Sequence, residues 1–324
     1  MATIKEIRDR ISSVNDTQKI TNAMYLISST KLRKARKMLI DTEPFFFSTI
    51  AMIKRIVSNL PEGVDNIFLE TRLDIPEKER RRGYIIFTDD KGLAGAFNHN
   101  VLSVAEEHIK NDGDNWKLFV IGEVGRFHFL SRNMPIEESF MFTSQNPTLH
   151  RARKIAAEIL DYYYSREIDE FYVVYTTVHG TICETKFEKL LPLDLITDIR
   201  KKTLIPGTIL DEFLMEPSPS AILDNIVPNY ITGFIYGALV ESFCSVQSSR
   251  MMAMDAANKN AEKMISNLQR TYNRQRQAMI TQEITEVVSG AKALKRAKMQ
   301  KAVRNDQILR AGDAKYIDET RTHL

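Results

Sequence analysis

Apolar residues recur along the first sixty positions with the alternating three- and four-residue step of a coiled-coil seam. Ile4, Ile7, Ile11 and Val14 set the phase, and it continues through Gln18, Thr21, Tyr25, Ser28, Leu32, Ala35 and Leu39. No Pro or Gly occurs before Pro44, so the pattern predicts one long helix over 1–57. A second seam runs through Met251, Met254, Asn258, Ala261, Ile265, Leu268, Tyr272, Gln275 and Met279. It belongs to a helical stretch over about 228–294, with Pro228 expected as a fresh start or kink after a short helix led by Pro219. Two long helices at opposite ends of one chain are expected to pair into a rod. At about 1.5 Å per residue, 60–80 residues give roughly 90–120 Å, several times the width of a small domain. A rod of that length transmits position, force or torque, and its far end must be bare or sleeved by other proteins. The polar seam positions weaken a helix pair and either fix its register or mark a stretch that faces something other than a helix.

The stretch between the helices changes period. Strand-like runs at Tyr84–Thr88, Lys117–Gly122, Phe171–Thr177 and Cys183–Leu190 are interleaved with helical patterns near Asn98–Lys110 and Leu149–Tyr164. This alternation predicts a largely parallel sheet with crossover helices. Beyond the seam, Met279, Ile280, Ile284, Val287, Val288, Ala291 and Leu294 spread around most of the helix circumference. A helix apolar on most sides wants burial on most sides, and a surrounding apolar collar is the simplest cover.

Charge sharpens this picture. The net charge is only +3, yet residues 1–40 carry nine Lys or Arg against three Asp or Glu, and 291–324 carry nine against four. Two basic ends on an acidic body point to acidic partner surfaces near the ends or to solvated helix faces. Cys183 and Cys244 stand alone and form no metal or redox motif, which fits free thiols in a reducing compartment. The longest apolar stretch, Phe45–Val57, is cut by Ser48, Thr49, Lys54 and Arg55, so no direct membrane insertion is expected. The amino terminus lacks a signal-peptide apolar region.

Candidate chemistry is sparse. The run from Gly83 to Asn98 has the form of a strand, a glycine-bearing turn and a helix, the setting of a phosphate-binding loop. Neither glycine-rich phosphate motif is present, and Asp89 and Asp90 would repel phosphate. The six histidines show no ligand spacing, and no nucleophile elbow occurs. Asp89–Asp90 and Glu137–Glu138 read as solvated loop charges, and Lys78–Arg82 as a solvated basic loop without the aromatic interleaving of an RNA-binding surface. No catalytic residue, cofactor, metal or nucleic acid is expected.

The ends are specific enough to compare. Residues Ile4–Val14, followed by Thr17–Met24, closely resemble the opening of the gamma subunit of F-type ATP synthases. Ser249–Ala257 and Tyr272–Ile284 resemble the closing helix of that family, and Thr88–Asn98 its central strand-turn-helix. Leu190–Leu193 and Glu216–Pro217 fall in the family order. The resemblance covers about residues 1–294. It implies an α/β chain in which a long antiparallel coiled coil of the terminal helices joins a central Rossmann-like domain. The implied divisions are 1–58 for the first helix, 59–218 for the α/β domain with its linkers, 219–294 for the last helix and 295–324 for a C-terminal extension.

The resemblance implies a central-stalk rotor. It would couple proton or sodium flow through a membrane c-ring to ATP synthesis or hydrolysis in a ring of three alpha and three beta subunits, with an epsilon subunit beside it, peripheral to the cytoplasmic face of a bacterial membrane. By match, Met24 and the basic residues Lys31, Arg33, Lys34, Arg36 and Lys37 face acidic beta-subunit loops. Arg250 is coupled to Met24. Arg276, Gln277, Thr281 and Glu283 contact the ring, and Met279, Ile280, Ile284, Val287, Val288 and Leu294 form an apolar bearing tip. Glu216 faces the c-ring and epsilon side. Residues 295–324 depart from the family, either as a solvated basic tail or as a helix running to Ala311, with Gly312 as its stop, that brakes rotation or recruits a partner. That extension motivates an alternative, a gamma-like paralogue serving as the shaft of a dedicated rotary ATPase that drives something other than ion transport.

Overall fold

A computed structural model describes residues 3–58, 66–69, 75–77, 79–112, 115–180, 182–193, 216 and 218–321, with only the backbone described over 302–321. Lys78 and Pro217, singled out above, lie outside the described residues. The elements are α1 (Ile4–Ser58), β1 (Arg82–Phe87), α2 (Phe97–Asn111), β2 (Trp116–Ile121), α3 (Glu123–Leu130), α4 (Leu149–Tyr164), β3 (Glu170–His179), β4 (Ile182–Leu191) and α5 (Pro219–Arg321). The chain divides into two compact units, one of residues 20–258 and one of residues 1–19 with 259–324.

In the larger unit the sheet order is β2-β1-β3-β4. β1 pairs in parallel with β2 and β3, and β4 closes the edge antiparallel to β3. Alternating side chains build two cores. Tyr84, Ile86, Leu118, Val120 and Val174 face α2 and α3, packing with Phe97, Val101, Ala105 and Phe129. Ile85, Phe87, Phe119, Ile121, Phe171 and Val173 face the other way, onto Ile155 and Ile159 of α4, Leu32 and Ile53 of α1, and Leu223, Ile231 and Ile235 of α5. The largely parallel, crossover-connected sheet expected from the pattern is present, with α3 added. Its start needs Gly122, whose φ of 94° and an added Cβ only 2.4 Å from the Thr88 carbonyl oxygen exclude a side chain.

Three expectations from the sequence are corrected. Helix α5 does not restart at Pro228, because the surrounding turns carry fully buried Leu223, Val227, Ile231 and Ile235. That burial offsets the ~3 kcal/mol that proline costs inside a helix. The acceptor left open by the missing proline N–H is the Asp224 carbonyl one turn earlier; the Thr232 hydroxyl donates to the Pro228 carbonyl itself at 2.9 Å. The helix begins instead with Ser218, whose Oγ accepts from the Ala221 N–H at 3.2 Å, and Pro219 at its first position. Nor does Gly312 stop the helix, which continues to Arg321. One glycine costs only about 1 kcal/mol in a helix.

The basic residues Arg80, Arg81 and Arg82 are not a solvated loop. Arg81 grips Asp169 with two hydrogen bonds at 3.0 and 3.1 Å. Arg80 and Arg82 meet Glu170 at 3.0 and 3.2 Å, and Arg82 also meets Asp112. Asp169 and Glu170 are almost fully buried at the start of β3 and require cations there. Burial pushes the Glu170 carboxyl up, but Lys189 at 2.8 Å, Tyr172 and Arg82 bring it below the usual range.

Candidate functional site

In the smaller unit the two helices run antiparallel. Arg8 donates to the Tyr272 hydroxyl at 3.1 Å, and Gln18 donates to Glu262 at 3.3 Å. A ten-residue step along one helix thus matches a ten-residue step back along the other. Ile7 is buried in this pair. By the same register the first turn of α1, at Ile4, lies level with about Arg276, so α1 does not run alongside the continuation of α5. There Met279, Ile280, Ile284, Val287, Val288 and Leu294 are 46–72% exposed. Arg276, Gln277, Thr281 and Glu283 are exposed on the same stretch, with the Thr281 hydroxyl donating back to the Gln277 carbonyl at 2.8 Å.

The larger unit contributes a second surface on α1. The Thr21 hydroxyl bonds Asn258 Oδ1 across the helix pair, giving two polar seam residues a partner. Met24 and Lys31 are half-buried, while Arg33, Lys34, Arg36 and Lys37 are exposed. Arg36 also donates to the Gly180 carbonyl at 3.2 Å. Ile20, Leu26 and Ile27, not singled out from the sequence, are 55–62% exposed on α1 near Met24. Their signal was available: they are apolar residues off the 3-4 seam. Glu216 is exposed.

Arg250 sits apart from these exposed residues. Its guanidinium pairs with Asp89 at the end of β1, and its side chain is only 11% exposed. Asp89 is not a solvated loop charge, since it is 2% exposed and also meets the Asp90 N–H at 2.9 Å and the Ser144 hydroxyl at 3.3 Å. Burial pushes the Asp89 carboxyl up, against the pull of the Arg250 guanidinium. Asn98 Oδ1 accepts from the Asp89 N–H at 2.9 Å, and Asp90 is held by Thr143 and Ser144. A Cβ added to Gly95 in the β1–α2 turn would lie 3.7 Å from the Ser249 carbonyl oxygen and 3.8 Å from the Ala253 Cβ. The turn that has the form of a phosphate loop is therefore packed against α5, with an acid–base pair of the chain's own at its root. Glu137 is likewise engaged: against burial, Lys117 and the Ser139 and Tyr162 hydroxyls bring its carboxyl down to about 2. Among the described residues no acidic, histidine or cysteine cluster could hold a metal ion.

The geometry is that of a helix pair with a bare apolar end and an α/β body, and comparison with known proteins decides what it belongs to. A family model described as ATP synthase matches residues 3–294. The chain is 42% identical over 294 residues to the ATP synthase gamma chain of Caldanaerobacter subterraneus, covering 89% of this chain and 98% of that one. The chain belongs to the ATP synthase gamma-chain family. The gamma chain of Ruminiclostridium cellulolyticum is also 42% identical over 294 residues, covering 90% of this chain and 98% of its own. The fold matches a chain in the central stalk and c-ring structure of the Tetrahymena thermophila mitochondrial ATP synthase, with a TM-score of 0.55 and 20% identity over 74% of this chain and 99% of that one. The match to the gamma-chain family ends at Leu294, whereas α5 continues to Arg321. Among the described residues no helix is long and apolar enough to cross a membrane.

Proposed function

We propose that this chain is the central-stalk rotor of a bacterial F-type ATP synthase, turning within three alpha and three beta subunits and carried by an epsilon subunit and a membrane c-ring at the cytoplasmic face. The observation that carries the reading is the tip of α5. Six large apolar residues between Met279 and Leu294, inside the family-matched region, have no cover from α1. Each gains about 1–2 kcal/mol if an apolar collar completes its burial. In this reading 1–58 and 219–294 supply the shaft, 59–218 the body, and catalysis resides in the partner subunits.

A shaft couples to its ring only through contacts that differ between ring states. The basic residues Arg33, Lys34, Arg36 and Lys37 offer such contacts to acidic loops, about 1–4 kcal/mol per pair near a surface before desolvation. Exposed Ile20, Leu26 and Ile27 lie among them, Leu26 seven residues from Arg33 and Ile27 seven from Lys34 on the same side of α1, so that side offers apolar as well as charged contacts to the ring. Arg276, Gln277, Thr281 and Glu283 offer contacts near the tip. Arg250 contributes through Asp89, by fixing α5 to the body.

The test is purification from the native host through a tag on this chain. Alpha and beta subunits are expected in three-to-one proportion to it, with ATPase activity in the purified complex. Recovery of the chain without them would sink the rotor reading.

A further inference from the structure

Within the larger unit, α5 carries glycines at 233 and 237, one turn apart, opposite the stretch Leu39–Phe47 of α1. Between them lies a cavity of about 150 Å³, walled by Leu39, Phe47, Tyr175 and Phe234, with Glu43 and Glu241 supplying its charge. An added Cβ on Gly237 would have no neighbour within 4 Å, so the space is one that side chains of α5 leave open. Tyr175 and Phe234 meet edge to face at 5.9 Å.

Glu241 follows Gly237 by one helical turn. Its Oε2 is sealed from solvent and has no hydrogen-bond partner among the described residues. A buried polar atom without a partner costs about 1–3 kcal/mol, more when charged. The nearby cation, Lys186, makes no hydrogen bond to Oε2. Glu43 of α1 and Glu188 of β4 raise its cost of ionising, and only Lys186 of β4 opposes them. Tyr175 is committed to Glu188, donating at 3.1 Å. Burial and these neighbours push the Glu241 carboxyl up to about 7. On the same side of α1, Phe47 of the cavity wall and Ile40 are 59% and 65% exposed, apolar surface beside the cavity that a partner could cover.

We infer that this cavity receives one lysine side chain from a partner subunit, its methylenes along the aromatic walls and its ammonium between Glu241 and Glu43. The inference rests on the rotor reading, which supplies the partner. Size selects the residue, because a cavity of about 150 Å³ holds a ligand of about six heavy atoms. A lysine side chain has five, an arginine seven. Charge selects it too, since two carboxylates and aromatic faces favour a cation with an apolar stem. A seated ammonium gives the orphaned Oε2 its donor.

Zero-length carbodiimide coupling on the purified complex, in the presence of methylamine and read by peptide mass spectrometry, tests this. Glu43 at the mouth is exposed in the free chain and accessible to the reagent. The expected result is that Glu43 or Glu241 becomes joined to a partner lysine, and that Glu43 is protected from methylamine in the complex but labelled in the free chain. Glu241→Gln, which keeps size and removes charge, should lower that cross-link about tenfold or more while the complex still assembles. Methylamine labelling of Glu43 in the complex as fast as in the free chain would overturn the inference and leave the rotor reading intact. Protection without a lysine cross-link would overturn the lysine assignment. Failure of the complex to form at all overturns both.

Discussion

Replacing Arg250 with methionine isolates the charge that fixes α5 to the end of β1, because the apolar stem is kept and the guanidinium removed. Asp89 then stays at 2% exposure with only the Asp90 N–H and the Ser144 hydroxyl as donors. The orphaned carboxylate has two routes. Remaining ionised and unpaired in the interior costs roughly 3–5 kcal/mol. Taking a proton at pH 7, from an ordinary carboxyl value near 3.9 at about 1.36 kcal/mol per unit, costs about 4 kcal/mol. The cheaper route sets the limit, so Arg250→Met should destabilise the chain by about 3–4 kcal/mol at pH 7. At pH 5 the proton route falls to about 1.5 kcal/mol, and the loss should shrink to that. The sign follows from burial, which holds the Asp89 carboxyl above its unfolded value once the guanidinium is gone. The penalty is therefore absent below the unfolded value and grows as pH rises through the folded one. Asp89→Asn with Arg250→Met removes both charges and should cost less than Arg250→Met alone, with little dependence on pH. Urea unfolding of the wild type, both single variants and the double variant at pH 5 and pH 7, followed by far-ultraviolet circular dichroism, gives the full cycle. A loss below about 1 kcal/mol for Arg250→Met at pH 7, or an equal loss at both pH values, refutes the reasoning and returns Arg250 to a role met only by partners.

Glu241→Gln should be more stable than the wild type by about 2 kcal/mol at pH 8 and equal to it near pH 4, because a carboxyl raised to about 7 loses stability as pH rises through that value. Thermal melts at the two pH values check it, and a pH-independent difference counts against it. Gly122→Ala forces a side chain into a φ of 94° with a Cβ 2.4 Å from the Thr88 carbonyl oxygen, and should cost more than about 2 kcal/mol in urea unfolding. Ile284→Asp with Val288→Asp should leave the melting midpoint of the isolated chain unchanged, since both residues are already exposed, yet abolish recovery of alpha and beta subunits. Truncation after Leu294 should also leave that midpoint unchanged, because side chains 295–301 are exposed. If the helical extension is a brake, truncation speeds ATP hydrolysis by the purified complex; unchanged hydrolysis and synthesis rates would reject that role.

The helices were legible because a seam repeats, and repetition survives without knowledge of the partner. Gln18 and Thr21 could be read as register-fixing polar positions before Glu262 and Asn258 were known to receive them. The strands were legible to within about two residues by the change of period. Helix α3 was not, because eight residues are too few for a 3.6-residue period to declare itself. The misreadings share one cause. Asp89 finds Arg250 across 161 positions, and the arginines at 80–82 find Asp169 and Glu170 across nearly 90. A local run of charge has the same appearance whether it is solvated or neutralised from far away, and only the topology of β1 beside β3 distinguishes the two. The fresh start expected at Pro228, as against a kink, failed in the same way, since its neighbours' burial depends on a sheet more than thirty residues upstream. The tip of α5 is a different case, because its residues are exposed as the pattern implied. Its apolar residues have no cover from α1 and stay 46–72% exposed among the described residues. Periodicity and register together turn such residues into evidence for a collar, whereas buried ion pairs leave no comparable trace in the local sequence.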